Sequence, residues 1–381
     1  MIKRNQRPSK LKMKVILSCF CIIFFSIQIC AQVYKGNLQF KTQEEINKAF
    51  STSGKLKDIT SIEGYVIIGD RTSRSNINSL QLFSKITNIK GGIYIFSNPE
   101  LKSLQGFEKL TSLQELEIIA NSQLKNLKGF DNVIAIKELC KITHNSSLIS
   151  LKGFNTLKTV GEFELFLNKN LKNCDGLEKL SHIKTNFSID DNENLETIAS
   201  LKLKEIGNVL SIKNNHKLQN LQGLEHIKKI DNLVLTSNTS ITTLKGLNNL
   251  KSVTGGILIR GNSALVSLDG LQNLQNINDY LDIWLNKNLA SVSQLKSLTK
   301  IGGELHIAEN KALKTLIGLE NIKTVGSLSI RDNLNLNDFC ALTILSKSIE
   351  EKVFTTKFDV KYNKFNPTIT DLKKGKCVAI N

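Results

Sequence analysis

An asparagine followed three residues later by an aliphatic side chain returns every 23 or 24 residues along most of this 381-residue chain. The positions are Asn98, Asn121, Asn145, Asn168, Asn192, Asn215, Asn238, Asn262, Asn286, Asn310 and Asn333. A fixed period of this length constrains the fold strongly. It marks stacked units that bury their apolar edges only against neighbours.

The inward columns follow from the same register. Five and three residues before the asparagines stand apolar pairs such as Ile93 and Ile95, Leu116 and Ile118, Leu210 and Ile212, and Leu281 and Ile283. This alternation predicts a half-buried strand. Beyond the asparagine the spacing changes to three, as in Leu265, Leu268, Leu271 and Leu274, which suits a chain winding round a narrow core. Each turn is therefore one short strand and a return path, and the whole is a β-solenoid of about 12 turns, roughly 55–60 Å long at the usual strand separation. The asparagines are expected to form a stack of amides that serves buried backbone groups in adjacent turns. Glycines from Gly106 and Gly129 to Gly270 and Gly318 mark a second corner where φ must be positive or packing close. Pairs such as Gly255 with Gly256 precede the strand.

The pattern, as in IGGELHIAENKALKTLIGLENI over residues 301–322, resembles the receptor L-domain type of leucine-rich repeat, most closely that of secreted proteins of the Bacteroidota. The resemblance spans about residues 38–380. It implies a right-handed coil with N- and C-terminal caps and a non-catalytic recognition surface. Only the scaffold motif can be matched, so no ligand residue carries over from the family. It also implies a C-terminal cap opened by Cys340 and closed by Cys377, joined as a disulfide. Relatives of this type often continue into a sorting domain or anchor; none follows Asn381, which counts against covalent attachment to a cell surface.

Four segments are expected: a signal peptide over 1–31, an N-terminal cap over 32–60, the repeat solenoid over 61–339 and the C-terminal cap over 340–381. The leader joins Lys3, Arg4, Arg7, Lys10, Lys12 and Lys14 to an apolar run over 15–29 and a small residue, Ala31. Lipidation at Cys30 is the rival reading, disfavoured by Gln28 and Ile29. In the N-terminal cap, Thr42 and Glu45 are spaced for a capping box ahead of a short helix. Asp70 falls near the asparagine position of the first turn, with residues 71–76 as a polar insertion. Later, residues 201–204 and Gln294 replace the usual glycine corner.

Export places the protein outside the cytoplasm, secreted or on the surface of a Gram-negative envelope, with the periplasm left open. Removing a leader with six basic and no acidic residues brings the formal charge from +17 to +11. A soluble lysine-rich coat accounts for that excess, since the lysines look scattered round the turns; anionic glycans, a bacterial surface or nucleic acid are the other readings, and export argues against the last. Cys140 and Cys174 take inward apolar positions in neighbouring turns and read as small buried hydrophobes.

No catalytic pattern emerges, because the five histidines occupy unrelated columns and give neither metal-ligand spacing nor a His-centred dyad. No cofactor and no metal are expected. The candidate site is the outward strand face, at positions four and two before each asparagine. Four acidic residues (Glu117, Glu164, Asp190, Asp282) and four basic ones (Lys141, Lys213, Arg260, Arg331) mix there with aromatics. Tyr94, Phe96, Phe166, Arg260, Trp284, His306 and Arg331 are the expected ligand contacts, of the type that anchors protein or glycan partners. The expected function is exported recognition or adhesion; the alternative is a structural envelope or matrix component with no discrete site. Neither nucleic acid nor a membrane, apart from the export signal, is an expected partner, and the oligomeric state is open.

Overall fold

The computed structural model describes residues 32–348 and 358–379; the expected leader lies outside them. Short strands stack in chain order into one parallel sheet running from Leu38–Phe40, Val66–Gly69 and Ile93–Phe96 to Thr324–Arg331 and Phe358–Lys361. The result is a parallel β-solenoid of about 12 turns, the architecture the asparagine period predicts. Equivalent residues stand directly opposite one another, as in Ile257↔Leu281 and Leu281↔Leu305. Inward side chains consequently form continuous apolar columns, and every inward Leu and Ile of these strands is buried.

A second, narrower parallel sheet runs along the return path, beginning with Val33–Tyr34, Ser61–Ile62 and Asn88–Ile89. From each asparagine but Asn192 to the inward Ile, Val or Leu of this sheet the path is 15 residues, as from Asn98 to Leu113 or from Asn238 to Val253. From there to the first inward residue of the main strand is three residues in some turns (Leu113 to Leu116) and four in others (Ile136 to Cys140). This corner absorbs the difference between 23- and 24-residue turns. Where a three-residue corner follows a four-residue one in continuous strands, the register shifts, at Val160/Glu162 and at Ile301/Glu304.

One turn departs. From Asn192 to Ile206 the return path is 14 residues, because Leu203 follows Leu201 by two positions instead of three. No pairing joins Glu205–Ile206 to Lys229–Ile230, although the first pairs with His182–Ile183 and the second with Ser252–Val253. The second sheet is interrupted there, as it also is between Asn88–Ile89 and Ser112–Leu113, while the main sheet continues unbroken.

The asparagines form the expected ladder. From Asn121 onward each Oδ1 accepts from the backbone N–H of the asparagine one turn earlier and, except at Asn215, from its Nδ2, as Asn192 does for Asn168 at 3.1 and 3.3 Å. Each Nδ2 also donates to strand carbonyls, Asn192 to Leu165 at 2.9 Å. The residue before each asparagine is left-handed, with φ of 53–66°, even at Leu167, Leu285 and Ala120. The ladder starts at Ser75, whose hydroxyl donates to Asn98 Oδ1; Asp70 instead bonds Thr72 and Lys41. The loop over 71–76 loops out before returning to the stack, so the position falls later than plain counting gives. At the other end the ladder runs past Asn333 to Asn363 and Asn366, hidden in the sequence by a 30-residue step.

Both ends carry short helices. Thr42 Oγ1 accepts from Glu45 N–H at the start of Gln43–Phe50, whose Ile46 and Ala49 are buried and whose Phe50 meets Phe83 edge-on. Near the C-terminus, Cys340–Leu342 and Thr343–Ser348 precede Phe358–Lys361, and Ile369–Lys373 opens with a Thr368/Asp371 capping box. A disulfide joins Cys340 to Cys377. Cys140 and Cys174 are free thiols in the core.

Candidate functional site

The outward face is made of two columns whose spacing is set by the strand register. Arg260, Trp284, Ala308 and Arg331 follow one another in one; Leu258, Asp282, His306 and Ser329 follow in the other. The guanidinium of Arg260 lies over the Trp284 ring, 3.9 Å from its centroid, and Trp284 Nε1 donates to Glu309 Oε1 at 2.9 Å. The indole is thereby fixed at its face and its edge. His306 Nδ1 stands 3.0 Å from Asp282 Oδ1, and its Nε2 is buried with no protein partner. The His306 ring centroid is 6.4 Å from that of Trp284. Ala308 leaves a step between Trp284 and the exposed Arg331. The Asp282–His306 pair is a correction to the reading that no His-centred pair forms: the two residues are 24 apart, which here means adjacent turns.

The other expected contacts lie apart from this cluster. Phe96 is only 3% exposed, against the expectation of an exposed aromatic. Arg71, from the loop over 71–76, lies 4.4 Å over its ring and pairs with Glu117 at 2.9 Å. Nothing in the repeat pattern signals that this loop folds back on the face. Tyr94 is half-buried, its hydroxyl donating to Glu115 and its ring edge-on to Tyr65. Burial first, then the Glu115 carboxylate, raises its phenol above the ordinary range. Phe166 is half-buried and edge-on to His144. Burial raises the Asp190 carboxyl, opposed by Lys213 at 3.9 Å and the Ser211 hydroxyl. Of the seven expected contacts, the structure brings together Arg260, Trp284 and His306, places Arg331 two strands beyond Trp284 in the same column, and separately joins Tyr94 with Phe96.

Among the described residues, no group of three or more His, Cys, Asp or Glu converges in a metal-binding arrangement. Nor is any helix among them long and apolar enough to cross a membrane.

The fold and the ladder define a parallel β-solenoid consistent with the receptor L-domain and leucine-rich-repeat type. Residues 29–124 match the family described as Receptor L domain. A solved TLR13–ssRNA13 complex is similar at 14% identity, over 90% of this chain and 76% of that one, with a TM-score of 0.18. That likeness carries no argument about a ligand here. No curated protein matches the sequence significantly.

Proposed function

We propose that this is an exported recognition protein that binds a protein or glycan through the strand-face cluster of Arg260, Trp284, His306 and Arg331. The observation that supports it is the Trp284 indole, fixed by Arg260 and Glu309 beside the step at Ala308. An aromatic held rigidly loses little entropy when it meets a ligand, which is why such residues dominate binding energies. Tyr94, Phe96 and Phe166 serve the strands rather than the ligand on this reading. Residues 32–60 and 340–381 act as caps over the ends of the stack, and residues 1–31 direct export to the cell surface or the medium.

Trp284 is the only tryptophan, so it reports on its own site. Titrating residues 32–381 with envelope glycans and candidate host proteins should change its emission saturably with one of them, and Trp284→Ala should weaken that binding at least tenfold. If Trp284→Ala and Arg260→Ala leave attachment unchanged while damage to a cap abolishes it, the chain is a structural component without a discrete site.

A further inference from the structure

A cleft lies away from the strand face, where the second sheet is interrupted between Glu205–Ile206 and Lys229–Ile230. Its volume is about 580 Å³, and residues 204–207 of the short turn and His226 with residues 228–231 of the next line it. The shortened return path explains it. With one residue fewer before Ile206, the outer backbone of this turn falls short of the next, although Ile206 and Ile230 both remain buried.

The cleft exposes unpaired backbone groups. In the next step of the stack, Lys251 N–H donates to Lys228 C=O and Thr254 N–H to Ile230 C=O. In the step before, Lys204 N–H donates to Ser181 C=O and Gly207 N–H to Ile183 C=O. Across the interruption, the corresponding N–H groups of Lys228 and Asp231 and C=O groups of Lys204 and Ile206 make no backbone hydrogen bond. Gly207 adds no side chain to the floor. Lys204, Lys228 and Lys229 are exposed and form no ion pair. The two carboxylates have partners elsewhere: Asp231 accepts from the Thr254 hydroxyl, and Glu205 faces His182 at 4.0 Å. The expectation of lysines scattered round the turns therefore fails here; stacking gathers them at one opening.

We propose that this cleft is a second binding site, separate from the strand face, for an acidic oligosaccharide bearing carboxylate or sulfate groups. Three ammonium groups around a concave, partly desolvated surface attract anions. The unpaired N–H and C=O groups call for a ligand that donates as well as accepts, which sugar hydroxyls do and a bare phosphodiester backbone does not. The lining holds no aromatic residue other than His226 on which nucleobases could stack.

The test is calorimetric titration of residues 32–381 at low salt with a sulfated hexasaccharide, an oligogalacturonate of equal length, neutral cellohexaose and a single-stranded oligonucleotide of matched charge. At least one acidic sugar should bind at least tenfold more tightly than both the neutral sugar and the oligonucleotide. The sulfated and carboxylated arms distinguish the source of the charge. Lys204→Gln with Lys228→Gln should cost at least tenfold, whereas Lys311→Gln with Lys314→Gln, of the same net charge, should not. Hydrogen exchange at the Lys228 and Asp231 amides should slow when the sugar binds. One alanine inserted after Leu201 should restore the 15-residue path, close the cleft and abolish binding without altering charge. No binding by either acidic sugar, equal binding by the oligonucleotide, equal loss in both lysine pairs, or unprotected amides would each overturn the proposal. The lysine variants, at exposed positions, keep the test decisive if the insertion fails to fold.

Discussion

Each asparagine of the ladder serves two neighbouring turns, so its cost of removal is set by what it leaves behind. Asn192→Leu takes the acceptor from Asn168 N–H and Nδ2 and the donor from Leu165 C=O, all of them buried. Buried polar groups without partners cost about 1–3 kcal/mol each, so the variant should lose about 3 kcal/mol or more in urea unfolding. The free thiols make a pH prediction. Burial raises Cys140, and burial followed by the Asp175 and Glu178 charges pushes Cys174 up to about 12. Above an ordinary thiol value of about 8.5 the unfolded chain releases these protons and the folded chain holds them. Their contribution is therefore complete below that value and declines as pH rises towards 12. Unfolding measured from pH 8 to 11 should show this decline, reduced in the Cys174→Val variant.

At the level of one turn, the glycine corner limits how closely neighbours can stack. Gly246 has φ 115°, and a Cβ there would collide with Leu221 C=O; Gly375 has φ 74° and open space. Gly246→Ala should destabilise by about 3 kcal/mol or more and Gly375→Ala by about 1 kcal/mol, compared by thermal unfolding. These corners, the strands and the ladder were legible in the sequence because one residue type recurs at one offset, and stacking converts offset directly into contact. The left-handed step before each asparagine was not legible, since leucine, alanine, serine and glutamate hold it at several turns although none of them favours that backbone. Nor were the Arg71 cover on Phe96 and the cleft at Lys204. Both depend on where an irregular path lands, which the repeat itself does not encode. The two-residue step from Leu201 to Leu203 was visible, but its opening of the second sheet was not.

Across the whole molecule, stability passes from turn to turn, and the ends have neighbours on one side only. The disulfide closes a loop with a sequence separation of 37 around the last ladder residues. On the chain-entropy model this is worth about 4 kcal/mol. Reduction should accelerate amide exchange around Asn363 and Ile369–Lys373 while the central turns stay protected. The three-or-four-residue corner has a wider consequence. Outside the turn from Asn192 to Asn215, the difference between 23 and 24 residues is taken up there, so the outward columns stay in phase from one repeat to the next. Selection can therefore rewrite the exposed face one letter at a time without moving its neighbours out of step.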